Sequence, residues 1–497
     1  MTRDDLKKAV VWASALFTFA LWLVIAVAHV DDAWGNGKVS GGWLVLGQAA
    51  DEGTLYPPLV DDGFYGGSRW MPLPILTFAL AHRLSPDGYW TAKLLVYCIG
   101  LVLLAVLYVA LRQVGVPRDI GVGLVALVLL VPVGFDAATV IRGDALATLL
   151  QLAALVVVYG RRRSLSGKIV VAAASLCALG FLARFSAVWA PLAILIVLSV
   201  TSRRLAVLFA AATGTLIGLG VVLTDVGSSG RFSENLPRFA FTGSGIDVGS
   251  LLDAPAKLVA LSQARAPGMV LLAPLAILVL IRGLGLRRFS LFEVAFVLAL
   301  GVTVGAMVDP GAGANHLLDA VILTPIIAGS LSTTGRSGSA LATDLLRVTV
   351  VVAVFVAVAT HVRPVVAEAV ADLRGGSTTP YGPDLLRDLI PPESTLLSHD
   401  PGVPYALDRR PVVSDPYMLP RTGAIEPLLG RVKRREFDFV VFLDLPVDDL
   451  WFYREGGDFG PRLAGTICRT YRLDRKVGDY FVYRPGAPDT PCPRGSP

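Results

Sequence analysis

Ala9-Val-Val-Trp-Ala-Ser-Ala-Leu-Phe-Thr-Phe-Ala-Leu-Trp-Leu-Val-Ile-Ala-Val-Ala-His-Val30 holds no Asp, Glu, Lys or Arg and stops on Asp31-Asp32. A run of about 20 apolar residues is what a helix needs to cross a hydrocarbon core of roughly 30 Å. It is longer than the apolar core of a signal peptide, and His29-Val30 rather than small residues stand directly before Asp31, so it is expected to be a retained first span. Arg3, Lys7 and Lys8 stand ahead of it. Runs of this kind recur along the chain. Only 17% of the 497 residues are charged and 54% are hydrophobic, against about 25% charge in soluble domains. The net charge of +5 is modest. The basic residues form small clusters between apolar runs rather than a stripe, which argues against nucleic-acid binding.

About eleven spans are expected from this pattern. They are 9–30, 89–111, 120–135, 145–159, two sharing 169–200, then 205–223, 269–281, 291–308, 316–331 and 348–362. Met71–Leu84 is apolar but too short to cross, and reads as an interfacial or re-entrant helix. Basic clusters fall at every second loop: the N-terminus, 112–118, 161–168, 203–204, 282–288 and 336–347. By the positive-inside rule those loops are cytoplasmic. The intervening loops hold most of the acids, among them Asp51, Glu52, Asp61, Asp62, Asp136 and Asp309. The expected fold class is a polytopic α-helical membrane protein with a small C-terminal extracytoplasmic α/β domain. Residues 1–362 form the membrane part, 31–88 its first outer loop, and 363–497 the outer domain. In the last, β-rich runs at 394–397, 437–443, 467–473 and 480–483 alternate with helical 385–389 and 425–432. No repeat supports an inverted-repeat transporter. Cys98 and Cys177 lie in apolar runs and read as packing residues, whereas Cys468 and Cys492 can either pair or stay as thiols.

Candidate chemistry gathers at the outer ends of the spans. Asp31 and Asp32 are fixed directly to a helix end, where a rigid element can aim a general base or a cation ligand. The other acidic pairs sit in loops. Arg184 is the sole charge in the 169–200 stretch. At that depth an ionisable residue costs roughly 2.5 kcal/mol or more unless it is paired or faces water. It reads as a phosphate clamp or as an arginine snorkelling at a hairpin. Arg142 and Asp144 flank the start of a span and can pair with each other or line a cavity. His316 and Asp319 share a helical face, and Asn315 can cap that helix. Arg69, in Arg69-Trp-Met-Pro-Leu-Pro, can meet a phosphate or anchor the interface. No Walker loop, His-Glu-x-x-His or Gly-x-Ser-x-Gly motif is present.

Taken together, the parts resemble the GT-C superfamily of integral-membrane glycosyltransferases. The resemblance rests on the order of segments: Asp31-Asp32, then Gly53-Thr-Leu-Tyr-Pro-Pro and Arg69-Trp-Met-Pro-Leu, then Arg142-Gly-Asp-Ala-Leu-Ala, Ala183-Arg184-Phe-Ser-Ala and Gly313-Ala-Asn-His-Leu-Leu-Asp. Ile390-Pro-Pro-Glu-Ser and Gly478-Asp-Tyr-Phe-Val-Tyr follow, similar to the family's outer domain. The resemblance implies a polyprenyl-phosphate-linked sugar as donor and a glycan, lipid or protein as acceptor. It also implies membrane lipids as surroundings and, in some members, a divalent cation. Asp31 or Asp32 then serves as base and Arg184 as clamp, with Arg69 and Arg142 behind it. Many members carry Asp-Glu where this chain has Asp-Asp. The Trp-Trp-Asp signature of oligosaccharyltransferases is missing, which argues against transfer to asparagine. A lipid or solute transporter would spread charges down the spans, and a membrane scaffold would have no need of Arg184 facing a cavity.

Overall fold

In the computed structural model, the described residues are 3–30, 38–61, 63–85, 89–242, 248–286, 289–309, 312–333, 339–362, 383–419, 423–443 and 459–487. The chain is mostly helical. Its helices are α1 Arg3–Ala28, α2 Lys38–Asp51, α3 Pro72–Leu84, α4 Tyr89–Gln113, α5 Arg118–Leu130, α6 Pro132–Thr139, α7 Asp144–Gly160, α8 Gly167–Ala183 and α9 Trp189–Thr201. There follow α10 Arg203–Gly227, α11 Arg231–Thr242, α12 Val248–Arg265, α13 Pro267–Val270, α14 Ala273–Gly285, α15 Leu291–Met307, α16 Leu318–Ser330 and α17 Ser339–Ala357. Among the described residues six helical segments are long and apolar enough to cross a membrane, and the bent pair α5–α6 makes a seventh. The helices α7, α8, α9 and α15 are apolar but shorter.

Local chemistry explains the breaks. The chain turns by 79° between α5 and α6. Pro132 opens α6 without an amide to donate. A Cβ on Gly134 would lie 1.9 Å from the Val128 carbonyl oxygen, so only glycine fits the bend. Ser290 and Glu293 close a reciprocal capping box at the start of α15. At the end holding the basic clusters, Arg347 of α17 pairs with Asp119 of α5 at 3.0 Å, and Lys7 of α1 with Asp344 of α17 at 2.7 Å. These bonds tie three helices that are distant in sequence.

The first loop is more ordered than its polar composition suggests. The sequence reads 31–70 as a polar segment, yet Lys38–Asp51 is helical with Ser40–Gly47 buried. Trp43 stacks on Trp70 with ring centroids 4.3 Å apart. The Tyr56 hydroxyl donates to the Trp70 carbonyl at 2.7 Å, and burial pushes that phenol far above the ordinary tyrosine range. Met71–Leu84, read as a non-crossing helix, is α3, packed on α2. The 225–266 loop also folds, into α11 and α12. Asn235 of α11 is buried, donating to the Pro57 carbonyl and accepting from the Ser68 amide at 2.9 Å.

The C-terminal residues form a four-stranded sheet of β3 Leu396–Ser398, β4 Phe439–Phe442, β5 Tyr471–Val477 and β6 Tyr480–Pro485 in the order β3-β4-β6-β5, after the small β1 Val60–Asp61 and β2 Phe64–Tyr65 hairpin. The β3–β4 pair is parallel and the others antiparallel. The helices Ile425–Lys433 and Gly460–Thr470 pack on the sheet. Here one expectation is corrected. The run 467–473 is strand only from Tyr471, because Pro461 opens a helix whose Leu463, Ala464 and Ile467 are buried on one face. Cys468 is disulfide-bonded; Cys492 lies outside the described residues. Cys98 and Cys177 are free thiols, the latter buried. The sheet region docks on the first loop through a backbone contact. A Cβ on Gly41 would lie 2.2 Å from the Gly402 nitrogen.

Candidate active site

Four chain segments converge on one polar network. The short connection from α6 to α7 carries Arg142, the first residue of α7 is Asp144, the break between α8 and α9 carries Arg184, and the single turn Ala314–Leu317 leads into α16. Arg184 stands where α8 ends in an extended residue, which turns its side chain inward rather than along the helix. Its guanidinium reaches Asp144 Oδ1 at 3.3 Å and also bonds Asp319 Oδ2. Asn315 donates to Asp144 Oδ1 at 3.1 Å, and Thr148 donates to Asp319 Oδ1 at 2.6 Å. Gln151 accepts from the Ala190 amide at 3.1 Å, holding the start of α9 against α7. The arrangement obeys the rule that buried charges survive when paired and hydrogen-bonded. Arg184 neither snorkels nor presents an open fork: two carboxylates occupy it.

One sequence-based expectation, the cap by Asn315, changes accordingly. Arg142 and Asp144 do not pair with each other among the described contacts; Asp144 takes Arg184 and Asn315 instead. Asn315 does not cap α16, because its side chain is spent on Asp144 and the helix opens on Leu317 without a side-chain cap. His316 and Asp319 belong to consecutive elements, the single turn and α16. His316 lies within electrostatic reach of Arg184, Asp144, Asp319 and Arg69.

Beside this network is a recess of about 300 Å³, lined by Asp136, Ala137, Arg142, Asp144, Arg265 and Asn315 with an apolar wall that includes Val133, Leu261 and Leu318. Asp136 and Arg265 close on each other at 2.7 Å. The Arg142 Nε is buried with no hydrogen-bond partner among the described residues. Arg265 is thereby paired, whereas no carboxylate among the described residues lies within ion-pair distance of Arg142. A concave, largely apolar pocket with a few aimed polar groups is the usual form of a small-ligand site.

Arg69 stands on the side of the C-terminal residues. Its Cζ lies 3.8 Å from the centre of the Tyr417 ring, and its Nε reaches Asp415 at 3.3 Å. Asp31 and Asp32 lie outside the described residues. The residues bounding them are held: Lys93 of α4 is fully buried and donates to the His29 carbonyl at 2.7 Å, and Lys38 Nζ is 3.5 Å from His399 Nε2. Lys93 was missed from sequence, although the argument used for Arg184 applies to it, since it is the sole charge between Tyr89 and Leu111. Thr148 and the Asp136–Arg265 pair carried no comparable signal. Among the described residues no group of three His, Cys, Asp or Glu is placed to hold a metal ion.

No protein-family model matches the chain, and no curated protein does. Solved structures do. The crystal structure of ArnT from Cupriavidus metallidurans bound to undecaprenyl phosphate matches at a TM-score of 0.57 and 15% identity, covering 95% of this chain and 97% of that one. The same protein in the apo state matches at 0.56 and 16%, covering 94% and 97%. The Archaeoglobus fulgidus oligosaccharyltransferase in complex with Zn and sulfate matches at 0.55 and 12%, covering 96% of this chain and 73% of that one. At such identities the likeness is one of fold. The chain has the GT-C-like fold of these structures, which its order of segments leads one to expect, and among its described residues six helical segments, seven with the bent pair, are long and apolar enough to cross a membrane.

Proposed function

We propose that the protein is an inverting glycosyltransferase that moves a sugar from a polyprenyl-phosphate donor to an envelope glycan, lipid or protein acceptor on the outer face of the membrane. The observation that carries this reading is the recess. In a fold shared with a protein crystallised with undecaprenyl phosphate, it sets one guanidinium with no carboxylate in ion-pair distance among the described residues, Arg142, next to the hydrogen-bonded Arg184–Asp144–Asp319 network. Asp31 or Asp32 takes the proton from the acceptor hydroxyl. The freed oxygen attacks the anomeric carbon from the face opposite the leaving group, and polyprenyl phosphate departs with the bonding pair. A positioned base contributes roughly 100- to 10,000-fold. Arg142 meets the charge that develops on the departing phosphate, where a fixed cation helps most. Arg184 holds the walls in place, and Asp144, Asn315, His316 and Asp319 form the polar floor on which sugar hydroxyls bond.

The long helices, the bent pair and the four shorter apolar helices together supply the eleven crossings, with the N-terminus inside. Residues 1–362 are then the membrane part, with 31–88 as its first outer loop, and 363–497 the outer domain. No step is routed through a divalent cation. The test is mass spectrometry of envelope glycans and glycolipids from a strain lacking the protein. One sugar should disappear from an acceptor while its polyprenyl-phosphate form accumulates, and the wild-type gene should restore it. An unchanged set of glycans and glycolipids overturns the proposal.

A further inference from the structure

The C-terminal residues bond to the segment that leads into the recess through partly buried side chains. Asp309 follows the end of α15. Its carboxylate accepts from the Tyr417 hydroxyl, at 3.1 and 3.3 Å to its two oxygens, and its carbonyl accepts from Lys257 of α12 at 2.8 Å. Tyr417 is buried in the single turn Pro416–Met418, and the Arg69 guanidinium lies over its ring at 3.8 Å while bonding Asp415. Beyond Asp309 come Gly313 and Ala314, which line the recess, and then Asn315, which bonds Asp144. Asp309 is thus held by Tyr417 and Lys257, its carbonyl also accepts from the Ala312 amide at 3.0 Å, and Asn315 is held by Asp144. A hydroxyl-to-carboxylate bond is charge-assisted and directional, and bonds in one buried network hold each other's geometry.

We infer that Tyr417 is a positioning residue of the recess: by holding Asp309 it sets the register in which Asn315 is presented to Asp144. The C-terminal region is then part of the binding site, and Arg69 serves the site by seating the Tyr417 ring. This inference rests on the reading of the recess as a polyprenyl-phosphate site, but its test has a readout that does not.

The full-length protein in detergent is measured in two ways, with undecaprenyl phosphate as the probe. First, hydrogen–deuterium exchange without ligand: Tyr417→Phe keeps the ring under Arg69 and removes the hydroxyl, and should speed exchange across Ala312–Leu318 at least tenfold while leaving α7 and α8 as in wild type. Unchanged exchange in that segment overturns the inference. Second, affinity: Tyr417→Phe and Asn315→Ala should each weaken undecaprenyl phosphate about tenfold, and the double variant should be no weaker than Asn315→Ala alone, because both act through one bond. Effects that multiply in the double variant also overturn it. If wild type binds no undecaprenyl phosphate while the exchange effect is present, the positioning role stands and the functional reading falls.

Discussion

Replacing Arg184 by Met keeps most of the side-chain stem and removes the charge. Asp144 and Asp319 would then face each other in a pocket where their side chains are 16% and 4% exposed, with Asn315 and Thr148 as neutral donors. At an effective dielectric of about 20, unit charges 3.3 Å apart attract by about 5 kcal/mol, a distance met by the Arg184–Asp144 pair. Part of this is offset in the folded protein by the desolvation of the ions. Breaking a buried pair still costs about 3–5 kcal/mol, because the orphaned partner remains. The assay is equilibrium unfolding in mixed micelles of rising SDS content. Arg184→Met should unfold much earlier than wild type. Adding Asp144→Asn and Asp319→Asn in the same chain should recover most of the loss, since an uncharged set needs no counterion. If Arg184→Met unfolds with wild type and loses only transfer, the guanidinium is available to ligand and the structural role argued for it is wrong.

Arg142→Gln should leave the unfolding curve within about 0.5 kcal/mol of wild type, as expected where no ion pair among the described residues is broken, and weaken undecaprenyl phosphate binding tenfold or more; equal affinity would remove it from the recess chemistry. Asp31→Asn and Asp32→Asn, made singly, should leave expression and unfolding intact, and at least one should abolish sugar transfer in membranes; full activity in both would end the assignment of the base. Asp400 is fully enclosed beside Gly402 and Tyr480, and burial holds its carboxyl above the usual carboxylate range despite the bonds it accepts from both. The folded protein thus keeps this proton after the unfolded chain has lost it. Its contribution is full below the ordinary pKa of about 4 and is lost as pH rises through the raised value. Melting temperatures measured across that window should fall with rising pH in wild type and flatten in Asp400→Asn; parallel curves would show that Asp400 does not set the trend.

Hydropathy alone located the apolar runs and the breaks between them, because the free energy of transferring a side chain from water to hydrocarbon is a local property. For that reason 169–200 was legible as two helices split at Arg184, and Arg184 itself as a charge needing company. The company is 40 residues away at Asp144 and 135 away at Asp319, and no local property names a partner at such separations. The same limit hid α2, whose longest apolar run, Trp43–Leu46, is too short to register until α3 and Trp70 are folded against it. It also made Ile467 read as strand, since β-branching favours an extended residue until a helical face is buried on the sheet. Sequence determined what had to be buried. Tertiary structure decided which charge pairs with which, and so left Arg142, rather than Arg184, facing the recess outside ion-pair distance of any carboxylate among the described residues.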